Sequence, residues 1–373
     1  MSFKPTSAST WCTWSTGLER VSTVCLISGL PWFLFKIANA AAKERAVDVL
    51  FPTQEQVAVL SARRQSLEVA TVVPEFSSLR RVQDKVSAFR TLENLGIPQP
   101  ESFVISNSDD LGRVATFPVF VKRPISTASS GIRRASSSSE LALAANAMGL
   151  GQRELLVQTQ CEGPLAMVQA VADRGSTVAY HANLRLLEGV GGGASLKESV
   201  ALPTFREHLE RLVAALHWSG ALSMDVIVSP QGPLVIDVNP RIVEPMNAYF
   251  SGVDLITPML DLARLEHPKT QPIGRPGIRS RQLLVAILGT AQLSNSRSAV
   301  VREVYRALRG VGELGAAKEE LTPVSGDLIA ALPVIVATIA TVARPALWRW
   351  FHSGAVGPYA LTPATWDEIV AAV

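Results

Sequence analysis

Apolar and polar positions follow two different periods along this chain. Between about residues 45 and 106, short apolar runs alternate with stretches of helical period, which is typical of consecutive strand and helix units. The pattern predicts a strand over 48–52, a helix over 53–66 with Thr53 as its N-terminal cap, a helix over 79–95 that stops at Gly96, and a strand over 102–106. Residues 45–100 therefore read as the end of a small α/β module.

After residue 116 most apolar segments are strand-like, and turns join them directly. Asp173–Gly175 and Ser229–Gly232 have the composition of hairpin turns, so the strands on either side of each turn should be antiparallel. The pattern predicts strands over 117–122, 155–158, 166–172, 177–187, 221–228 and 234–238, and helices over 139–148 and 204–218. The chain is thus expected to be α/β (α+β), with modules at 1–100 and 101–270 and a C-terminal appendage at 271–373.

Two longer apolar runs are candidate membrane segments. Residues 24–35 are interrupted by Gly29 and Pro31, and residues 328–343 by Pro333. Both are shorter than the roughly 20 apolar residues that a spanning helix needs. The second run precedes an arginine and tryptophan flank of the kind found at membrane interfaces. Its length favours a buried or oligomer-facing helix, and peripheral membrane contact through this helix stays open as the second interpretation.

Composition indicates a mostly folded chain and narrows the classes of partner. Of 373 residues, 47% are hydrophobic and 18% charged, which argues against extensive disorder. The net charge is only +3 and no long Lys/Arg run occurs, so no nucleic-acid partner is expected. Cys12, Cys25 and Cys161 are isolated, which excludes a disulfide framework and predicts a reducing compartment, by default the cytoplasm.

The strongest chemical signal is the acidic hairpin predicted over 221–238. Asp237 and Asn239 lie two apart on one strand and therefore share a face, and antiparallel pairing can bring Asp225 beside them. Three oxygen-bearing side chains on a mostly apolar hairpin are costly to bury without a cation, and such ligands suit Mg²⁺. The alternative is that these positions simply face solvent.

Further residues could contact phosphate. Arg241 follows the acidic pair, Lys122 ends a strand, and the Ser/Gly-rich stretch Ser126–Gly131 could offer backbone N–H groups. Taken without the other residues, Lys122 is more typical of a surface lysine, and the Ser/Gly stretch is more typical of a linker. No Walker A motif and no GxGxxG occurs, so neither a P-loop NTPase nor a dinucleotide fold is indicated.

Over residues 45–265, the order of these pieces resembles the ATP-grasp superfamily, particularly its carboxylate–amine ligases and the proteins like the large subunit of carbamoyl-phosphate synthase. The segments that carry the resemblance are Asp84-Lys85 with 96–100, the lysine strand 117–122, the linker 156–163, Arg185 with Gly191–Gly193, and the set Asp225, Asp237, Asn239 and Arg241. The chain departs from the family at Asp237 and Thr159, where glutamate is usual or frequent, and residues 1–44 lack a glycine-rich opening strand and turn.

The resemblance implies an ATP-grasp fold with a truncated pre-ATP-grasp module at 1–100, the ATP-grasp domain at 101–270, and the helical appendage. It also implies which residues form the site. Nucleotide would be bound by Lys85, Lys122, Ser129, Ser130, Gly131, Gln158, Thr159, Gln160 and Cys161. The metal would be bound by Asp225, Asp237 and Asn239. Arg241 and Arg185 are implied to be catalytic. The implied cofactors are ATP and Mg²⁺, or Mn²⁺ in its place.

In such enzymes a substrate carboxylate attacks the γ-phosphate, and an amine displaces the phosphate of the resulting acylphosphate. The expected partners are therefore a small-molecule carboxylate and an amine. The alternative is a catalytically weakened ATP-binding scaffold, docked to a membrane or partner through its C-terminal helix. The departures at Asp237 and Thr159 favour the scaffold, and the intact Lys122, Asp225 and Arg241 favour the ligase. The substrates and the oligomeric state stay open.

Overall fold

The computed structural model describes residues 13–14, 21–22, 31–45, 47–127, 131–320, 328–356 and 360–373. The helices are α1 (Pro31–Arg45), α2 (Gln56–Ala62), α3 (Phe76–Gln83), α4 (Lys85–Asn94), α5 (Ser138–Ala147), α6 (Pro203–Ala215), α7 (Met246–Ser251), α8 (Thr257–Ala263), α9 (Leu283–Ser294), α10 (Arg297–Arg309), α11 (Leu328–Ala343), α12 (Trp348–Val356) and α13 (Pro363–Ala371). The strands are β1 (Thr13–Trp14), β2 (Val21–Ser22), β3 (Val49–Leu50), β4 (Ala70–Thr71), β5 (Ser102–Ile105), β6 (Val119–Lys122), β7 (Ile132–Ala135), β8 (Leu155–Thr159), β9 (Leu165–Asp173), β10 (Ser176–Glu188), β11 (Ala194–Ser199), β12 (Gly220–Ser229), β13 (Gly232–Asn239), β14 (Arg279–Arg281) and β15 (Lys318–Glu319).

Two sheets organise the molecule. One has four strands in the order β5-β8-β6-β7, and the other has seven in the order β13-β12-β9-β10-β11-β14-β15. β9–β10 and β12–β13 are the two hairpins predicted from their turns, and β12 also pairs with β9. The large sheet is antiparallel except where β14 pairs with β15.

Side chains alternate between the two faces of the large sheet along each strand. One face is apolar; the other, called the polar face below, carries polar side chains together with a second buried apolar cluster that includes Val171, Ala179 and Ala221. The apolar face, which includes Val168, Leu222 and Met224, forms one buried cluster with the side chains of α6 and with Trp218. Phe205, Leu209, Leu212 and Val213 are the buried residues of α6. Since helix α6 covers this face, the residues that alternate with the cluster point to the opposite side of the sheet.

The four-stranded sheet places Lys122. Helix α5 packs Leu141, Ala144 and Ala145 into the same buried cluster as Val119 and Val121 of β6. Those two valines fix which side of β6 meets the helix, and Lys122 is the last residue of the strand. β6 lies between β7 and β8, so Lys122 pairs with Ile132 on one side and Leu156 on the other.

The helix predicted over 79–95 is instead two helices, and the prediction of one was wrong. Asp84 separates α3 from α4 with extended backbone angles, φ −81° and ψ 123°. Its carboxylate accepts a hydrogen bond from the backbone N–H of Ser87 at 2.9 Å, so it caps α4. The predicted cap at Thr53 was also wrong, because α2 begins only at Gln56.

Replacing Asp84 by alanine is expected to lower the free energy of unfolding by about 1 kcal/mol, because α4 loses its N-terminal cap. Chemical denaturation would measure the loss. Asp109 is exposed and its side chain forms no hydrogen bond among the described residues, so Asp109→Ala is a control outside α4 that should stay close to wild-type stability. An Asp84→Ala protein as stable as the wild type would contradict the capping role.

The C-terminal region is helical, as predicted, and it also contributes strands that the sequence analysis did not predict. β14 pairs with β11, and β15 pairs with β14, so both extend the large sheet. Helix α11 buries Ala331, Ala337 and Thr341 and exposes the opposite side. Among the described residues, no helix combines the length and the apolarity needed to cross a membrane. The module boundaries at 100 and 270 stay predictions.

Candidate functional site

The hairpin β12–β13 brings the acidic residues to one place on the polar face of the large sheet. Asp225 lies directly opposite Asp237 in the strand register, and Ser223 lies opposite Asn239. The register then shifts, because Val226 pairs with Val235 and leaves Ile236 without a partner on β12. Asp225, Asp237 and Asn239 thus share a face, as alternation along the two strands requires.

Two lysines converge on β13 from different elements. The ammonium group of Lys85, in the first turn of α4, lies 2.8 and 2.9 Å from the two carboxylate oxygens of Asp237. Lys122 donates to Oε1 of Gln158 and to the backbone carbonyl of Ile236, both at 2.7 Å. The break at Asp84 and the end of β6 therefore position two cations beside the acidic pair.

Burial and charge shift the pKa values of these groups in opposite directions. Burial lowers the pKa of Lys122 to about 8, with a further contribution from Lys85, although Asp237 and Asp225 oppose the shift. Burial alone would raise the pKa of Asp237, but Lys85 and Lys122 outweigh it and hold that pKa below its usual range. Asp237 is therefore ionised at neutral pH and already neutralised by lysine.

Asp225 is the least compensated group of the cluster. Its carboxylate forms no hydrogen bond or ion pair within the part of the chain that the structure describes, and burial together with Asp237 raises its pKa to about 6. Within those same ranges, no three His, Cys, Asp or Glu side chains are grouped to hold a metal. The donor set is two carboxylates and the Asn239 amide, which suits a Mg²⁺ ion that takes its other ligands from phosphate and water.

Arg241 adds a third cation at the end of β13 and meets a buried carboxylate. Its Nη2 lies 3.8 Å from Oε1 of Glu55, which is almost fully buried before α2. The other Glu55 oxygen accepts from Nε2 of Gln83 at 3.0 Å. The Nε atom of Arg241 is buried without a hydrogen-bond partner. Sequence reasoning missed Glu55, because nothing local in the sequence links it to Arg241.

Arg185 lies apart from this cluster. Its guanidinium donates to the backbone carbonyl of Gly192 at 2.6 Å and pairs with Glu188 at 3.1 Å. It thus contacts the glycine segment 189–193, where Gly191 has the left-handed φ of 65°. In the sheet register Arg185 is opposite Lys197 on β11.

The residues proposed to bind nucleotide beside β8 have mixed surroundings. The Gln158 side chain is buried and engaged with Lys122, and Gln160 accepts from Nε of Arg134 at 2.8 Å. The hydroxyl of Thr159 is buried without a partner. Burial raises the pKa of the Cys161 thiol, so this cysteine is not a thiolate at neutral pH.

Gly131 closes the turn between β6 and β7. Its carbonyl accepts from the backbone N–H of Arg123 at 2.9 Å. A Cβ atom added at Gly131 would lie 2.4 Å from Cβ of Ser126, so the turn needs glycine unless its backbone shifts. Ser129 and Ser130, the other proposed members of this segment, lie outside the described residues.

A row of unsatisfied polar side chains continues from the acidic pair across the same face. Gln169 on β9 is opposite Ser223 on β12. Met167 on β9 is opposite Asn183 of β10 on one side and Asp225 of β12 on the other, so Asn183 lies in line with the acidic pair. Three of their atoms are buried without a partner: Nε2 of Gln169, Nδ2 of Asn183 and Oγ of Ser223. Sequence reasoning missed them, although the strand alternation that placed Asp225 also places them.

Further along this face is a buried charged cluster around Lys197. The Lys197 ammonium contacts Glu244, in the loop after Arg241, and lies 2.7 Å from Oε2 of Glu320. The Glu320 carboxylate also accepts from Ser280 at 2.5 Å and from Gln282 at 3.0 Å. The cluster joins the C-terminal strand region to the loop that follows the acidic hairpin. Its members are too distant in sequence to be paired from the sequence alone.

Comparison with known proteins agrees with the resemblance to the ATP-grasp superfamily seen in the sequence. Residues 82–245 match the family model of the ATP-grasp domain, so the chain carries an ATP-grasp domain. The resemblance and the fold class predicted from the sequence are thereby confirmed.

Two curated relatives and two solved structures show what the chain is similar to. It is 24% identical over 217 residues to the 3-methyl-D-ornithine–L-lysine ligase of Methanosarcina barkeri and 26% identical over 216 residues to that of Methanosarcina acetivorans. The first match covers 57% of this chain and 55% of the relative, so the chain spans about half the length of the curated relatives it matches.

Among solved structures, biotin carboxylase from Campylobacter jejuni in complex with β,γ-ATP matches with a TM-score of 0.57 and 18% identity, over 68% of this chain and 62% of that one. Carboxyaminoimidazole ribonucleotide synthase from Aspergillus clavatus, complexed with ATP, matches with a TM-score of 0.55 and 16% identity, over 81% and 85%. At these identities the solved structures establish the fold alone.

Proposed function

We propose that this protein is an ATP- and Mg²⁺-dependent ligase that activates a substrate carboxylate as an acylphosphate and transfers the acyl group to an amine. The observation that carries the proposal is that Asp225 and Asp237 lie opposite each other on neighbouring strands, with Lys85, Lys122 and Arg241 around them. A site with these two facing carboxylates, three cations and the buried Glu55 beside Arg241 is suited to holding a metal-bound triphosphate. The ligase relatives support the same reaction class.

In this proposal the protein supplies position and charge, and no side-chain nucleophile is needed. Asp225, Asp237 and Asn239 would hold the Mg²⁺, which neutralises phosphate charge when bound. Lys122 and Arg241 would contact phosphate oxygens. The substrate carboxylate oxygen bonds to the γ-phosphorus as ADP leaves, and the amine nitrogen then bonds to the acyl carbon as inorganic phosphate leaves, with loss of a proton.

We place the substrate on the polar face beside the hairpin. The buried and unpartnered atoms of Gln169, Asn183 and Ser223 lie next to the acidic pair in the register. Buried polar atoms without partners are rare in folded proteins, and a ligand that hydrogen-bonds to them is one physical account of their presence. Two amide N–H₂ donors and a hydroxyl suit a carboxylate or an amino-acid-like substrate.

Trapping with hydroxylamine tests the reaction class directly. Purified protein would be incubated with ATP, Mg²⁺ and a panel of amino acids and dicarboxylic acids, and hydroxylamine would convert any acylphosphate into a hydroxamate plus phosphate. A hydroxamate that forms together with equimolar ADP, for at least one acid, is the expected result. Tight ATP binding with no hydroxamate and no ADP across the panel would instead favour the weakened scaffold.

The affinity for Mg·ATP is expected to be highest between the pKa values of Asp225 and Lys122. Metal binding needs Asp225 as a carboxylate, whose pKa of about 6 makes it mostly protonated under acidic conditions. Phosphate binding needs Lys122 as an ammonium, whose pKa of about 8 makes it mostly neutral under alkaline conditions. Calorimetric titration should show roughly tenfold weaker binding one pH unit outside either limit than midway between them.

The variant Asp225→Asn tests whether Asp225 causes the loss of Mg·ATP affinity at acidic pH. The titration of the nucleotide itself is the same for both proteins, so only the difference between them reports on Asp225. The variant should bind weakly at every pH and lose the extra acid dependence. An identical loss of affinity at acidic pH in both proteins would contradict the assignment.

A further inference from the structure

Exposed apolar side chains concentrate in the C-terminal helices. Within the described part of the chain, seventeen large hydrophobic side chains are exposed, and ten of them lie between Leu293 and Trp350. Scattered exposed hydrophobic residues are normal on a protein surface, but a concentration of this kind marks an interaction surface. None of these residues belongs to the proposed ligase site.

Helix α11 carries the clearest part of this surface. Leu332, Ile335, Val336 and Ile339 recur at helical spacing and form one stripe, and Leu332 and Ile339 are 59% and 63% exposed. The opposite side of α11 is buried within the protein. Helix α11 is therefore only partly buried in the single chain, and of the buried or oligomer-facing helix predicted from the sequence, the oligomer-facing form stays a prediction.

Helix α10, which packs beside α11, combines an apolar stripe with a basic one. Val301, Tyr305 and Leu308 are exposed, Leu308 to 78%. The residues that directly follow them in sequence are Arg302, Arg306 and Arg309, and all three are exposed. Long arginine side chains beside exposed apolar groups are typical of helices that lie flat in a membrane interface.

The turn after α11 and helix α12 add arginines and an aromatic side chain. Arg344 and Arg349 are exposed, and Trp350 is 69% exposed with its ring centroid 4.9 Å from that of Phe351. Tryptophan is enriched at the depth of lipid headgroups, because its ring is apolar and its N–H is polar.

Charge identifies the partner of this surface. Residues 283–309 and 328–356 contain six arginines against one glutamate, whereas the whole chain has a net charge of only +3. A second copy docking the same patch on itself would bring like charges together, which a symmetric interface disfavours. An anionic lipid surface both accepts the apolar side chains and attracts the arginines.

We propose that helices α10, α11 and α12 form a peripheral docking surface for anionic membranes. The helices lie on the bilayer surface, the α11 stripe and Trp350 insert at the headgroup boundary, and the α10 arginines contact lipid phosphates. The surface is independent of the proposed ligase activity, so either proposal can fail without the other.

Co-sedimentation of the full chain with lipid vesicles tests this docking surface. Vesicles of phosphatidylcholine alone are compared with vesicles that also contain phosphatidylserine, at low and high ionic strength. Wild-type protein should bind the anionic vesicles at least about tenfold more tightly than the neutral ones, and salt should weaken the binding. The double variant Ile335→Asn/Ile339→Asn and the double variant Arg302→Glu/Arg306→Glu should each lose roughly tenfold or more on anionic vesicles.

Leu143→Asn is the matched control, because Leu143 is 72% exposed on α5, outside the C-terminal helices. It should bind vesicles like the wild type, and unchanged circular dichroism would show that all variants fold. No preference for anionic vesicles, or an equal loss in Leu143→Asn, would overturn the proposal. The proposal would also be overturned if the protein never binds vesicles and instead forms a concentration-dependent dimer that the isoleucine variant abolishes.

Discussion

Replacing Asp225 by asparagine is expected to lower turnover by about a hundredfold to a thousandfold while stabilising the ligand-free protein at neutral pH. The catalytic loss follows from removing one of two carboxylates proposed to hold the metal that neutralises phosphate charge. The stabilisation follows from removing a buried charge and, second, from relieving its repulsion with Asp237, which faces Asp225 across β12 and β13. The two effects have opposite signs, which a merely structural role for Asp225 would not produce.

The pH dependence of the stabilisation follows from the pKa of Asp225. Folding raises it from the ordinary 3.8 to about 6, so the folded protein binds a proton more tightly than the unfolded chain. Stability contributed by this group is fully present below about pH 4 and is lost as the pH rises through about 6. Asp225→Asn should therefore gain about 1–3 kcal/mol over the wild type at pH 8 and little at pH 4.

Asp237→Asn is the matched control on the facing strand. Asp237 has its pKa held low by Lys85 and Lys122, so its removal leaves the Lys85 ammonium, which is 11% exposed, without its partner. This variant should be less stable than the wild type at pH 8 and should also lose turnover. Urea denaturation without ligand measures both variants. A destabilised Asp225→Asn protein would show that Asp225 is already compensated.

Replacing Lys197 by methionine is expected to lower the free energy of unfolding by about 3–5 kcal/mol. Lys197 and Glu320 each have only 1% of the side chain exposed, so the substitution leaves the Glu320 carboxylate buried without its cation. Glu244 is one-third exposed and can gain water, so most of the loss arises at Glu320. Urea denaturation measures the change.

The double variant Lys197→Met/Glu320→Gln separates loss of charge pairing from loss of packing. Glutamine keeps the shape of Glu320 and an oxygen that accepts from Ser280, without the uncompensated charge. Its N–H₂ group donates and does not accept, so the bond with Gln282 is kept only when the Gln282 side-chain amide turns over to present its oxygen. The double variant should recover a large part of the stability that Lys197→Met loses. A double variant less stable than the single variant would show that Lys197 acts mainly through its packed methylene chain.

The hairpins and the acidic pair could be predicted because the information is local. Turn residues mark Asp173–Gly175 and Ser229–Gly232, and alternation over a few residues puts Asp237 and Asn239 on one face. The same rule would have placed Gln169, Asn183 and Ser223 on that face. They were missed because a single neutral side chain within an apolar strand gives a weaker signal than two carboxylates.

The remaining differences depend on contacts that are distant in sequence. The pairing of Lys197 with Glu320 spans 123 residues, and that of Lys85 with Asp237 spans 152. Residues 79–95 have a nearly continuous helical pattern, and only the capping geometry of Asp84 divides them. β14 and β15 are too short for a periodicity to be visible, so the sequence indicated only helices in that region.

The pairing of β14 with β11 also determines how the protein can be shortened. A fragment that ends at residue 270 would lack β14, and β11 would become a terminal strand with unpaired backbone N–H and C=O groups. Such an open edge can recruit strands from other molecules, and the Lys197 ammonium would be deprived of Glu320 in the same fragment. We therefore expect a chain shortened at residue 270 to self-associate through the exposed edge of β11 more readily than the full chain.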